Sequence, residues 1–178
     1  MREISLHLLD LIENAIRARA TLVEITVEAI PETDTLRVVV ADNGRGLSVP
    51  AEDAADPFYT TKSGKRTGLG LSLFRAAAEL TGGGLQIGPS AHGGVAVTVT
   101  MGLTHVDRNP MGDLAGTLSA VVCTNPDIDF RFHLRWDGRR CDLRVGELAG
   151  SNGHGGLALA RSVAARIKSE LQGADSLT

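Results

Sequence analysis

The sequence predicts an α+β fold, in which helices alternate along the chain with pairs of strands. Three observations lead to this prediction. The chain begins with a segment of helical periodicity, it continues with strands in which apolar and polar residues alternate, and both kinds of pattern return after residue 103. With 178 residues the chain is long enough to bury a core, as one domain or as one domain with a small annex.

The first half of the chain predicts a helix, a hairpin, a second helix and two more strands. Apolar residues recur at helical spacing over about residues 3–19, and strict alternation over 22–30 indicates a strand with one face in water. The turn residues PETDT connect it to a second strand over 35–41. An irregular segment follows from about 42 to 66, then a helix over about 69–80 that two glycines end, and the strands LQIG and GVAVTVTM.

The second half predicts a smaller unit of similar elements. The polar loop THVDRNPMGD leads into a helix, GDLAGTLSAVVC, which Asn125-Pro126 ends. DFRFHLRW and CDLRVGEL alternate around Asp137-Gly138, a strong hairpin signal, and the loop GSNGHGG precedes a last helix over about 157–171. We therefore predict one domain over 1–103 and a C-terminal helix-hairpin-helix extension over 104–178. One apolar strand face of the extension is expected to be core rather than a docking surface: Phe130, Phe132, Leu134 and Trp136.

The composition disfavours several classes of function. The formal net charge is -3 with no basic block, and aromatic residues make up 3%, so neither charge nor stacking argues for nucleic-acid binding. No apolar run approaches the roughly 20 residues that cross a bilayer. The N-terminus lacks the pattern of a signal peptide, and Cys123 and Cys141 form no C-x-x-C unit. These features predict a cytoplasmic protein with reduced thiols.

Two segments carry oxygen-bearing side chains suited to a cation or a flat ligand. Asp10 and Asn14 lie four residues apart on the first helix, so both project from one face and can offer oxygen to Mg²⁺. Asp42 ends a strand and is followed by Gly44 and Gly46, which permit a hydrogen bond to a ligand at the sheet edge. Taken alone, each also fits a common structural alternative, a solvated helix surface for the first and a simple Asn-Gly turn for the second.

A third segment has the properties of a phosphate site. Gly68 and Gly70 open a helix, where free backbone amides attract anions, and Lys62, Lys65 and Arg66 bring positive charge to the same place. A solvated basic loop is the alternative. The spacing of the glycines matches neither a P-loop nor a dinucleotide-binding fingerprint.

In their order and spacing, these segments resemble the N, G1, F and G2 boxes of the GHKL superfamily of ATPases and kinases. HLLDLIENAIRARA resembles the N box, DNGRGL the G1 box, DPFYTTK the F box and TGLGLSL the G2 box. The resemblance covers about residues 1–103. It implies a two-layer α/β sandwich of the Bergerat type, with helices on one face of a mixed sheet and ATP under a lid formed by the third segment.

The resemblance also implies a role for each matching residue. Asn14 would hold Mg²⁺, Asp42 would accept a hydrogen bond from the adenine amino group, and Gly44 and Gly46 would let backbone approach the base and sugar. Asp10 lies where members that hydrolyse ATP usually carry a glutamate that activates water. The phosphates would be contacted by side chains or backbone amides of Lys62, Lys65, Thr67, Gly68 and Gly70, and Phe58 would anchor the lid in the core.

The sequence leaves two classes of function open. The first is an enzyme, a regulatory Mg²⁺-ATP-dependent protein kinase or slow ATPase that acts on a protein partner. The second is a non-catalytic module that senses nucleotide and exposes or hides a docking face.

The chain starts at the N box, so we expect no phosphoacceptor hairpin before it, and we favour a stand-alone regulatory type. A homodimer is left open. His7 is expected to be a partner of Asp10 or to be exposed, and THVDRNP, which resembles a phosphoacceptor box, is expected to be a polar linker.

Overall fold

Six strands form one mixed sheet in the computed structural model, which describes residues 3–46, 69–152 and 156–171. The strands are β1 Leu22–Ile30, β2 Thr35–Asp42, β3 Gly84–Pro89, β4 Val95–Gly102, β5 Asp129–Trp136 and β6 Arg139–Arg144. The α-helices within the described ranges are α1 Ile4–Arg17, α2 Leu69–Glu79, α3 Leu114–Thr124, α4 Val145–Asn152 and α5 Leu157–Leu171. A short 3-10 turn, Pro31–Thr33, connects β1 to β2.

The order of the strands in the sheet is β3-β4-β2-β1-β5-β6. All neighbouring pairs are antiparallel except β1 and β5, which run parallel with Val23 opposite Phe130 and Ile25 opposite Phe132. A parallel neighbour requires a crossover connection, and α3 provides it between β4 and β5. The C-terminal hairpin therefore widens the sheet of the first half instead of forming a sheet of its own.

One face of this sheet is buried and the other meets solvent. In β1 the side chains of Val23, Ile25 and Val27 are buried, whereas the alternating Glu24 and Glu28 are half-buried. The same alternation continues in β5, where the predicted apolar face is buried, namely Phe130, Phe132, Leu134 and Trp136. The helices cover the apolar face, so the structure is a two-layer α/β sandwich and the predicted fold class is confirmed.

The hairpins also form where the sequence places them. At the tip of the β5–β6 hairpin, Asp137 and Gly138 both adopt positive φ, of 51° and 71°. Positive φ at both central positions is the signature of the two-residue turn whose twist matches the strands. At the end of β1, Asp34 takes a left-handed conformation that closes the turn predicted from PETDT.

The end of the β6 segment differs from the prediction. The alternating pattern of CDLRVGEL suggested a strand throughout, but the strand ends at Arg144 and α4 begins at Val145. Val145 is buried and Leu148 packs against the core, and a spacing of three residues places both on one face of a helix. The residues before them alternate as in a strand, so the pattern up to Val145 does not indicate where the helix begins.

Buried residues from both sides of residue 103 belong to one hydrophobic cluster. Leu8 and Ile25 of the first half and Phe132 and Val163 of the second half are all members. The boundary near Leu103 remains a prediction about chain organisation. No helix within the described residues is both long and apolar enough to cross a membrane.

We expect Phe132→Ala to lower the free energy of unfolding by about 3–5 kcal/mol, because it removes a fully buried ring from the shared core. Denaturant unfolding followed by far-UV circular dichroism measures this change. A single transition at lower denaturant is expected, with Arg139→Ala, an exposed position on the neighbouring strand, as the control. Two separate transitions, only one of them shifted, would show that β5 does not share its core with β1.

Candidate functional site

A cavity of about 210 Å³ lies between helices α1 and α2 and the β2, β3 and β4 strands. Its polar groups come from the two segments that the sequence singled out, Asp42 at the end of β2 and Asn14 on α1. The remaining surface is largely apolar, with side chains from two helices and three strands, Leu11, Val40, Leu71, Ile87 and Val97. A concave apolar site with few polar groups is the common form of a small-molecule site.

Asp42 is a buried carboxylate, with a relative exposure of 5%. Its Oδ1 accepts two backbone hydrogen bonds, from Gly44 N at 2.7 Å and from Val95 N at 3.3 Å. No described residue donates a hydrogen bond to Oδ2. A carboxylate oxygen can accept further hydrogen bonds, so Oδ2 is suited to an N–H group of a ligand in the cavity.

Glycines hold the turn that supplies one of these amides. Gly94 N donates to the backbone oxygen of Asp42, and an added Cβ at Gly94 would overlap Asp42 Oδ1 and lie 2.6 Å from Gly44 N. Gly44 in turn packs against α1, where an added Cβ would lie 2.8 Å from Ala18 Cβ. Gly46 has open space around it but a φ of +75°, so its requirement is conformational.

The first helix places Asp10 and Asn14 along the same side of the cavity region. Asp10 is half-buried and touches the start of α2, since an added Cβ at Gly70 would lie 2.9 Å from Asp10 Oδ2. Asn14 is exposed, and its Oδ1 accepts a hydrogen bond from Arg17 Nη2 at 2.9 Å. Arg17 also pairs with Glu13 at 3.6 Å. The structure thus brings Asp10 and Gly70 together at the α1–α2 contact, and it places Asn14 one turn further along α1 in the cavity wall.

The donor set fits Mg²⁺ only if most ligands come from phosphate and water. The amide oxygen of Asn14 is a suitable hard donor at the cavity wall, and the exposed Arg17 can move away from it. The described residues contain no group of three or more His, Cys, Asp or Glu side chains that could hold a metal. A magnesium ion carried by polyphosphate and held by one protein oxygen matches this arrangement.

Several predicted site residues lie outside the described residues. They are Lys62, Lys65, Thr67 and Gly68, together with Phe58, and their roles remain predictions.

His7 and His105, the histidine of the THVDRNP segment, lie in different surroundings. His7 is 2% exposed, which excludes the exposed alternative, and its ring stacks on Phe74 at 4.8 Å. His105 follows β4, which begins beside Asp42 at Val95 and ends at Gly102. An eight-residue strand spans on the order of 25 Å, so His105 follows the end of the strand remote from the cavity.

Sequence reasoning missed the contribution of the turn before β4. It gave Val95 no role beyond its strand, whereas the backbone amide of Val95 donates a hydrogen bond to Asp42. It gave no role to Gly94, although the Gly93-Gly94 pair before an alternating strand marks a tight backbone approach. Val40, Val97 and Ile87 were predicted as strand residues, but their place in the cavity wall was not predicted.

Comparison with known families assigns most of the cavity-lining chain to one family. A family profile described as histidine kinase-, DNA gyrase B-, and HSP90-like ATPase matches residues 2–105. The chain belongs to this family of ATPases. The match ends close to the predicted boundary at residue 103 and covers α1, the β1–β2 hairpin, α2, β3 and β4.

The curated relatives include a sensor protein and sensor histidine kinases. The C4-dicarboxylate transport sensor protein DctS of Rhodobacter capsulatus is 36% identical over 99 residues, which are 53% of this chain and 15% of that protein. Sensor histidine kinase ZraS of Escherichia coli (strain K12) is 31% identical over 106 residues, which are 59% of this chain and 23% of that protein. This chain therefore spans less than a quarter of the length of either relative.

Solved structures similar to the chain include the catalytic domain of histidine kinase ThkA, at 31% identity and a TM-score of 0.43, over 53% of this chain and 63% of that one. The Aquifex aeolicus MutL ATPase domain complexed with ADP is 17% identical with a TM-score of 0.46, over 84% of this chain and 68% of that one. Because both TM-scores lie below 0.5, family membership rests on the profile match.

We expect Gly94→Ala to lower the free energy of unfolding by about 1–3 kcal/mol, because the new methyl group must displace Asp42 or the backbone of Gly44. Gly88→Ala, in β3, is the matched control, because an added Cβ there meets nothing within 4 Å. Thermal unfolding of both variants provides the comparison. Equal melting temperatures would contradict the tight packing of Gly94 on Asp42.

Proposed function

We propose that the chain binds Mg²⁺-ATP in the cavity between α1, α2 and the sheet, and that it acts in the cytoplasm as a regulatory kinase or slow ATPase on a protein partner. The observation that carries the proposal is the buried carboxylate of Asp42 in an apolar cavity. Membership in an ATPase family supports the same ligand.

The adenine end of the proposed ligand is recognised by Asp42. Two backbone amides hold Oδ1, which leaves Oδ2 as an acceptor, and the adenine amino group is a donor. The apolar side chains of Val40 and Val97 would contact the faces of the base and exclude water. Gly44 would support the base only through Asp42, because the space beside Gly44 is already filled by Ala18 and Asp42.

The phosphate end is proposed to lie toward Asn14 and the first turn of α2. Backbone amides at a helix N-terminus attract anions, and Gly70 places this terminus against Asp10. Asn14 would hold Mg²⁺, which supplies charge neutralisation for the phosphates. The basic residues Lys62 and Lys65 are proposed to complete the site from the lid.

Asp10 is the proposed general base. In phosphoryl transfer it would accept the proton from the attacking hydroxyl, imidazole or water, while the bond between the γ-phosphorus and the bridging oxygen breaks and ADP leaves. The sensor kinases among the relatives favour transfer to a protein. A sensing module that binds ATP without turnover is the second candidate, since aspartate replaces the glutamate usual in ATP-hydrolysing members.

We expect Asp42→Asn to weaken ATP binding about tenfold to a hundredfold and to reduce the preference for ATP over GTP. The new amide can keep its oxygen toward Gly44 and Val95, but it presents a donor where the adenine amino group needs an acceptor. Titration calorimetry with each nucleotide in the presence of Mg²⁺ measures both effects.

Asp127→Ala is the control for this substitution, because Asp127 is an exposed carboxylate in the turn before β5. It should bind both nucleotides as the wild type does. A wild-type protein without measurable affinity for ATP would overturn the proposed ligand. An Asp42→Asn variant with unchanged ATP affinity would overturn the assigned adenine contact.

We expect Asp10→Asn to reduce the release or transfer of γ-phosphate about 10²- to 10⁴-fold, while ATP affinity changes much less, because a general base acts mainly in the transition state. Radiolabelled γ-phosphate followed with a candidate partner and without it measures turnover. The control is Glu13→Gln on the exposed side of α1. A wild type that binds ATP without turnover would favour the sensing module over the enzyme.

A further inference from the structure

The helix that carries Asp10 and Asn14 is capped by a distant part of the chain. The first amides of a helix have no partner within it, and Glu3, the residue before α1, makes no side-chain cap. Instead Ile4 N donates to Pro110 O and Ser5 N donates to Met111 O, both at 2.9 Å. We call residues 108–112 the cap segment. It lies between β4 and α3, at the beginning of the C-terminal extension.

The cap segment is tightly held against α1. Met111 is 1% exposed and belongs to the core. Gly112 has a φ of +73°, and an added Cβ there would overlap the carboxylate of Glu3 and lie 2.6 Å from Ser5 Oγ. A shift of the cap segment must therefore shift the first turn of α1 as well.

A second contact extends from the cap segment to the interface of α1 with α2. Asn109 Nδ2 lies 3.5 Å from His7 Nε2. The His7 ring is buried and stacks on Phe74 of α2, with 6° between the planes. Asp10, about one turn after His7, meets Gly70, about one turn before Phe74. The stack and the Asp10–Gly70 contact together set the position of α2 against α1.

The opposite side of the cap segment is joined to the sheet. Arg108 Nε donates to Leu103 O at 2.7 Å, and its guanidinium carbon lies 5.9 Å from the centre of the Trp136 ring of β5. Burial lowers the pKa of the Arg108 guanidinium. Through Arg108 the cap segment thus contacts β5 of the extension, and through Pro110 and Met111 it holds the first turn of α1.

We propose that the cap segment couples the C-terminal extension to the phosphate end of the nucleotide site, with His7 as the positioning residue between Asn109 and α2. The inference rests on the proposed function, because it concerns the same nucleotide. Asp42 is held by Gly44 and Val95, neither of which touches the cap segment. Disturbing the cap segment should therefore weaken contacts to the phosphates and leave recognition of adenine intact.

The test uses Asn109→Ala, His7→Phe and the double variant in the full chain. Phenylalanine keeps a ring on Phe74 but removes the nitrogen that faces Asn109. Calorimetric affinities for Mg²⁺-ATP and for AMP separate the two ends of the nucleotide. Each single variant should bind ATP about five- to tenfold more weakly and bind AMP within about twofold of wild type. The double variant should bind ATP about as weakly as His7→Phe alone, because that substitution already removes the contact with Asn109.

Asn125→Ala is the matched control, since this amide bonds Val121 O at the far end of α3 and does not contact α1. Amide hydrogen exchange without nucleotide adds an independent measurement, in which α1 should exchange faster in Asn109→Ala than in the control. Unchanged ATP affinity with unchanged exchange, or equal losses of ATP and AMP affinity, would overturn the coupling alone. A wild type that binds neither nucleotide would instead overturn the proposed function.

Discussion

The buried carboxylate of Asp42 is the constraint around which the site is built. A charge at 5% exposure must be compensated, and the backbone amides of Gly44 and Val95 provide the compensation for one oxygen. The pairing of β2 with β4 brings the end of β2 beside the turn before β4, which makes both amides available to the carboxylate. It also explains why the neighbouring positions lack side chains, since Gly44 and Gly94 leave no room for a methyl group. The second oxygen is then the natural point of attachment for a ligand.

The second constraint is that α1 serves both the site and the connection between the two halves of the chain. Its inner face contributes Leu8 and Ile12 to the core. Leu11 and Asn14 line the cavity, and the first amides of the helix depend on Pro110 and Met111. The parallel pairing of β1 with β5 ties the extension to the same sheet. The extension is therefore structurally continuous with the part of the chain that matches the ATPase family. This continuity gives a physical route between events in the extension and the proposed nucleotide site.

Much of this architecture is visible in local sequence patterns. The periodicity of α1, the alternation of the strands and the Asp137-Gly138 turn each depend on residues close in sequence, and they predict the elements well. Asp42 could be singled out because a carboxylate at a strand end before glycines is a local signal. The contacts of Gly94, the burial of His7 and the capping of α1 by Pro110 join segments that are far apart in sequence, so no local pattern contains them. The start of α4 was missed because Val145 continues the alternation of buried residues in β6.

Binding of nucleotide beside Asp42 can be observed in the amide NMR spectrum of the protein during titration with Mg²⁺ and a non-hydrolysable ATP analogue. We predict that the largest shifts occur at the amides of Gly44 and Val95, with smaller shifts along α1 near Asn14. Shifts confined to the larger groove between α3 and α5, about 560 Å³ in volume and bordered by Leu114 and Ile167, would contradict it. A spectrum unchanged at saturating nucleotide would contradict it as well.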